Sequence, residues 1–221
     1  MASCFRLPKT LINDIHKIIA KFWWGSKDNE KKIHWCEWKD LTVHKEDGGL
    51  GFRDLERFNQ ALVAKHVWRL ERNKGSLVER VFRAGYYPDG NILEAACKSN
   101  GSSNWQSLMW GKDLIVRGTR WRIGDGESVH IVGDRWIPRA TNSALSDVYL
   151  IPANMRVAEL KYNGGEWNEA LVRALFEDED VIDILAITVS EDGIPDKRRW
   201  HCVVSGCRIS STGSEASDLW W

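Results

Sequence analysis

Apolar residues recur three and four positions apart through the first half of the chain, and that period predicts helices. Leu11, Ile15, Ile18, Ile19 and Phe22 fall on one face of a helix over residues 11–22, with Thr10 as its cap and Lys9, Lys17 and Lys21 off that face. Gly25 and Ser26 stop it, residues 27–32 form a charged turn, and 33–41 is a short Trp-rich segment, extended or helical. The glycine loop over residues 46–52 lacks G-x-G-x-x-G spacing and a following Lys-Ser/Thr, so it reads as a tight turn anchored by Leu50 and Phe52. Asp54 caps a helix over 55–72 whose apolar stripe is Leu55, Phe58, Leu62, Val67 and Leu70. Ser76 and Glu79 form a capping box for a helix to about Ala84, with Leu77, Val78, Val81 and Phe82 on the core side. Ser103 caps a helix over 104–116 that turns Trp105, Leu108, Met109 and Ile115 inward and ends at Gly118.

The period then changes. Trp121 and Ile123, the Gly124-Asp125-Gly126 turn, and Val129 and Ile131 read as a β-hairpin near 119–133, closing on Trp136. Residues 138–152 lack periodicity and read as a linker, 167–176 and 180–187 as two short helices, and 195–201 as a strand followed by a turn at Ser205-Gly206. The tail from Ser210 is Ser/Gly-rich and reads as disordered. The fold class is therefore α-rich α+β: a helical N-terminal half, a hairpin, and a small helical and β C-terminal part.

Composition sharpens this picture in three places. Thirteen of the 221 residues are Trp, and most stand beside a basic residue or a glycine. Such rings either pack in a core under Arg and Lys stems or stack on bases beside phosphate-binding cations, burial being the commoner use. The net charge is zero, yet residues 1–122 carry 22 Lys and Arg against 14 Asp and Glu, while residues 123–221 carry 9 against 17. A basic front half suits a polyanion. The five Cys are scattered, with no C-x-x-C pair, as expected of reduced thiols in an intracellular setting, and no apolar run is long enough to span a membrane.

Candidate chemistry is thin. Neither His34, Cys36 and His44 nor His201, Cys202 and Cys207 supply the two close pairs of ligands that a structural zinc site uses. Asp125, Asp134 and the acidic run 177–183 are the carboxylates available for a divalent cation, and each has a structural explanation at a turn or helix N-terminus. No Ser or Cys stands in a nucleophile motif, and His66 on the long helix reads as a surface or packing residue. No catalytic residue, metal site or cofactor is expected.

The order of the motifs is nonetheless specific. Residues 4–9 (CFRLPK), 22–25 (FWWG), 32–35 (KIHW), Trp38-Lys39, 48–55 (GGLGFRDL), 58–62 (FNQAL), Ala64-Lys65, Trp68-Arg69, 121–126 (WRIGDG) and 134–138 (DRWIP) follow one another. This run resembles the region after the polymerase core in plant non-LTR (LINE-type) retrotransposon reverse transcriptases, and short plant open reading frames, some mitochondrial, derived from it. The resemblance covers about residues 3–201 and fades beyond. In the family, an aromatic-Ala-Asp-Asp motif that binds two metal ions lies upstream, and a zinc-ligand cluster and a ribonuclease H domain lie downstream. Neither is expected here.

The resemblance implies a basic, helical, thumb-like region over 1–90, a connection region over 91–138, and an acidic region over 139–221 that begins a zinc-binding reverse-transcriptase segment. A thumb holds a primer–template duplex without doing chemistry. The expected function is a non-catalytic fragment with weak, sequence-independent binding of RNA or an RNA–DNA hybrid, in the nucleus or a mitochondrion, beside a polymerase core that this chain lacks. Lys17, Lys21, Lys31, Lys32, Arg53, Lys65 and Arg69 are the expected phosphate contacts, with Trp23 and Trp24 as stacking groups. The alternatives are an accessory to, or homology-labelled member of, the RNA-directed DNA polymerase and ribonuclease H enzymes, or a relic or interaction module without selected activity.

Overall fold

A computed structural model describes residues 3–25, 32–88, 90–138, 151–162, 165–189 and 194–200. The linker at 139–150, Lys31, the second His/Cys group at 201–207 and the Ser/Gly tail lie outside the described residues. The chain is α-rich α+β and divides into two compact units, Met1–Val116 and Arg117–Trp221.

The first unit is helical: α1 (Lys9–Trp23), α2 (Trp38–Leu41), α3 (Leu55–Arg72), α4 (Leu77–Tyr86) and α5 (Ser103–Gly118), which runs to its end. The bounds of α3 match the expectation, and Asp54 caps it by accepting the Glu56 and Arg57 N–H groups. A third orphan donor at that end, the Leu55 N–H, goes to His16 Nε2 on α1 at 3.4 Å. Ser76 caps α4 through the Glu79 N–H, but Glu79 returns to the Gly75 N–H rather than to Ser76. In α5 the cap is Ser102, whose hydroxyl accepts from the Trp105 N–H, one residue before the expected Ser103. α1 starts after Pro8, so Thr10 lies inside the helix and caps nothing.

Two expected core faces are corrected. In α4 the aromatic side turns in: Phe82, Tyr86 and Tyr87 stack around the fully buried Trp105 of α5, with Tyr86 at 4.3 Å and nearly parallel. Leu77, Val78 and Val81 consequently face solvent, because one helix buries one stripe and the larger rings occupy it. In α1 the residues buried are Ile12 and Ala20, while Leu11, Ile18 and Phe22 are exposed and Ile15 and Ile19 half-buried. The inward residues of α5 are those expected, and α3 packs against α5 where Gly111 meets Ala64 and Val63. In α3, Val67 and Leu70 are buried as expected, but Asn59, Val63 and Ala64 join them in place of Phe58.

The second unit buries one apolar cluster that includes Ile123, Val129, Ile131, Trp136, Leu160 and Phe176. α6 (Glu169–Leu175) and α7 (Asp178–Leu185) correspond to the two expected acidic helices. The expected hairpin is not formed. β1 (Thr119–Arg122) pairs antiparallel with β2 (Lys197–Trp200), and the second arm joins a distant segment through a bridge between His130 and Arg156. Each arm finds a partner far along the chain because the turn between them is already engaged: the Asp125 N–H donates to Ile194 O at 2.7 Å.

A Cβ on Gly111 would lie 2.9 Å from the Ala64 nitrogen, a backbone atom that cannot swing aside. Gly111→Ala should therefore destabilise the chain by about 1–3 kcal/mol despite its better helix propensity. Urea unfolding checks this; a neutral or stabilising result would mean that α3 and α5 are not so close.

Candidate nucleic-acid interface

The N-terminal segment is fastened to α3 by one buried side chain. Asn59 accepts the Leu7 N–H at 2.9 Å and donates to Phe5 O at 2.8 Å. From there α1 runs antiparallel to the start of α3: Lys9 reaches Glu56 at 3.9 Å, His16 meets Leu55, and Trp23 lies edge-on to Phe52 at 4.9 Å. The glycine loop makes that last contact possible. Gly48 and Gly51 have positive φ, and a Cβ on Gly49 would fall 2.1 Å from Val43 O, so the loop is held tightly against residues 41–43, to which Leu50, Gly51 and Phe52 donate their N–H groups. Trp38 packs on the same Phe52 ring and on His16, and Trp24 stacks on His34 at 5.9 Å.

This geometry separates the expected phosphate contacts into two groups. Lys17 and Lys21 lie in the second half of α1, Lys32 Nζ comes 3.9 Å from the Cβ position of Gly25 just beyond its end, and Arg53 follows the Phe52 that Trp23 touches. Lys65 and Arg69 lie ten and more residues along α3 from that end, roughly 15 Å or more by helical rise, beside His66 and Ser3. Within the first group, Lys17 approaches Asp14 at 3.4 Å on an exposed surface, and the Arg53 guanidinium covers the Phe58 ring at 4.9 Å. Trp23 and Trp24 already use a ring face or edge on Phe52 and His34.

An aromatic residue not singled out from the sequence is better placed. Trp35 is 80% exposed and lies three residues from Lys32, in a stretch that is neither helix nor strand. It makes no ring contact among the described residues. Its segment has no period to read, so nothing in the sequence distinguishes it from the partly buried Trp24 and Trp38 on either side.

Most other Trp rings serve the fold. Trp105 and Trp136 are buried. Trp110 lies under Arg6 at 4.8 Å, Trp68 under Arg72 at 5.3 Å, Trp121 under Arg198 at 4.4 Å, and Lys161 stands over Trp167 at 5.6 Å. None of these covering cations is the ring's sequence neighbour: Arg72 is one helical turn from Trp68 and Arg198 lies on the strand paired with that of Trp121, because adjacent side chains point to different faces.

The carboxylates of the second unit are committed in the same way. Asp196 accepts the Gly124, Gly126 and Ser128 N–H groups at 2.7, 3.0 and 3.0 Å. Asp134 accepts the Trp121 indole N–H and the His130 N–H, and Arg198 approaches it at 3.6 Å. Asp125 accepts the Glu127 N–H. Among the described residues no three His, Cys, Asp or Glu side chains converge as metal ligands, and no helix is long and apolar enough to cross a membrane.

Among curated proteins, the chain is 42% identical over 136 residues to an "Uncharacterized mitochondrial protein" of Arabidopsis thaliana, covering 61% of this chain and 88% of that protein. The chain belongs to that protein's family. It is also 34% identical over 139 residues to a "Putative ribonuclease H protein" of Arabidopsis thaliana, which covers 61% of this chain and only 22% of the relative. No protein-family model and no solved structure matches the chain.

Two outcomes are expected. Asp196→Ala strands three amides of the loop and should cost about 2–4 kcal/mol in urea unfolding, with Asp196→Asn recovering part. His66 is held below its ordinary 6.5, first by burial and then by the Arg69 charge, against a raising hydrogen bond that the ring donates to the Ser3 backbone. The unfolded chain thus takes up this proton first, and the stability present above pH 6.5 is lost as pH falls through the folded value. His66→Gln should flatten the decline measured as pH falls below 6.5; an unchanged slope would assign it elsewhere.

Proposed function

We propose that this chain is a non-catalytic segment derived from a retrotransposon reverse transcriptase, of the non-LTR type, and that its first unit binds RNA or an RNA–DNA hybrid weakly and without regard to sequence. The feature that carries this reading is the set of cations toward the C-terminal end of α1, Lys17 and Lys21 within it, Lys32 near Gly25 and Arg53 next to the Phe52 that Trp23 meets, with the exposed Trp35 three residues from Lys32. The first unit carries 19 Lys and Arg against 14 Asp and Glu, so its net charge is positive. An exposed indole beside cations can stack on any base while the cations hold phosphates. The relative named for ribonuclease H supports an origin among hybrid-handling enzymes, and the motif order supports the region after a polymerase core. Lys65 and Arg69 belong to a separate, weaker patch in this reading.

A second reading gives the chain ribonuclease H chemistry of its own. The name of the longer relative favours it, but the chain spans about a fifth of that protein. The reaction needs carboxylates that converge on divalent cations, whereas Asp125, Asp134 and Asp196 each accept hydrogen bonds from the loop they hold.

Titration of a labelled RNA–DNA hybrid with the full chain separates these readings. About four neutralised phosphates predict a roughly hundredfold loss of affinity between about 50 and about 200 mM salt. Lys32→Glu and Arg53→Glu should each weaken binding, and Trp35→Ala should cost about 1–3 kcal/mol for a single-stranded RNA. Salt-indifferent binding, or none at low salt, refutes the first reading; Mg²⁺-dependent cleavage of the hybrid establishes the second.

A further inference from the structure

The outer face of α1 has a spacing that its buried face lacks. Leu11, Ile15, Ile18 and Phe22 follow one another by four, three and four residues, the repeat of a two-helix seam. Leu11 is 45%, Ile18 66% and Phe22 84% exposed, although the opposite side of the same helix is packed through Ile12 and Ala20. An apolar stripe of this regularity in water is costly unless something covers it.

We propose that what covers it is α1 of a second copy of this chain, running antiparallel. In that register Leu11 faces Phe22 of the other copy and Ile15 faces Ile18, so the four seam residues complement themselves with none left over. The charges beside the seam decide for a second copy. Asp14 and Lys21, seven residues apart, flank the stripe on one side, and both are exposed. Antiparallel packing brings Asp14 of each copy beside Lys21 of the other, giving two symmetric ion pairs. The present partner of Asp14 is Lys17, at 3.4 Å on an open surface, an interaction weak enough to exchange. The other exposed apolar face, Leu77, Val78 and Val81 on α4, has no such balance: its neighbours Lys74 and Arg80 are both cationic, so two copies would repel. The seam spans about 17 Å, which gives a small contact and a dimer of micromolar order.

Sedimentation of the full chain across a concentration series tests this by charge exchange. Asp14→Lys and Lys21→Asp should each weaken self-association about tenfold, because each sets two like pairs against one another. The double variant Asp14→Lys/Lys21→Asp restores opposite charges and should dimerise as the parent does, and an equimolar mixture of the two single variants should form the mixed dimer. Both side chains are exposed, so the variants keep the fold, and Phe22→Ser offers an independent loss of the seam. A chain that stays monomeric at hundreds of micromolar, or a dimer indifferent to both charge changes, overturns the proposal. Hybrid binding separates it from the functional reading: Asp14→Lys removes an anion and should strengthen binding to nucleic acid while weakening the dimer.

Discussion

The Asp196 carboxylate is the interaction on which the second unit turns. Three backbone N–H groups of the Gly124–Ser128 loop point at it, and a buried loop with unanswered amides would not persist. Its place in the chain matters as much as its charge. Asp196 immediately precedes β2, so the same short segment that satisfies the loop also pairs with β1 and brings Arg198 over Trp121 and toward Asp134. Gly124 and Gly126 are required by that closeness: a Cβ on Gly124 would fall 2.0 Å from Ile194 O, and one on Gly126 would fall 2.6 Å from the Ala158 nitrogen. The loop, its carboxylates and its neighbouring Trp are thus one structural device, and the acidic groups in it have little freedom to serve chemistry.

The first unit repeats the logic with an amide in place of a carboxylate. Asn59, buried in the middle of α3, answers one donor and one acceptor of the segment before α1. That anchors the start of α1, and the contact of Trp23 with Phe52 anchors its end. Between these two anchors α1 lies along the start of α3 and leaves its apolar repeat outward.

Much of the fold could be read from the sequence where local rules suffice. The bounds of α3, the Asp54 cap, the inward face of α5 and the acidic helices needed only periodicity and capping residues. What escaped was non-local. A hairpin was expected over 119–133 because alternation and a Gly-Asp-Gly turn look alike whether the arms pair with each other or with segments some thirty or seventy residues on. The α4 stripe was misassigned because aliphatic and aromatic stripes both satisfy a helical period, and only the position of Trp105 decides between them. The expected phosphate contacts do not form one group: Lys65 and Arg69 are set apart along α3, while Lys17, Lys21 and Lys32 follow the course of α1 and the segment after it.

A consequence follows for the rare-residue motifs. In this chain three of the rare-residue runs, the glycine loop at 48–51, the Trp121–Gly126 run and the Asp134–Pro138 run, pack closely on the chain's own backbone and side chains. Trp, Gly and Asp are irreplaceable there because a smaller ring, an added Cβ or a lost acceptor each leaves a void, a clash or an orphan amide. Contact with a polyanion makes no such demand. Any exposed cation near a phosphate serves, and Lys21, exposed on α1, lies in none of these runs. These three runs therefore specify the scaffold of the chain, by demands that a surface cation does not have to meet.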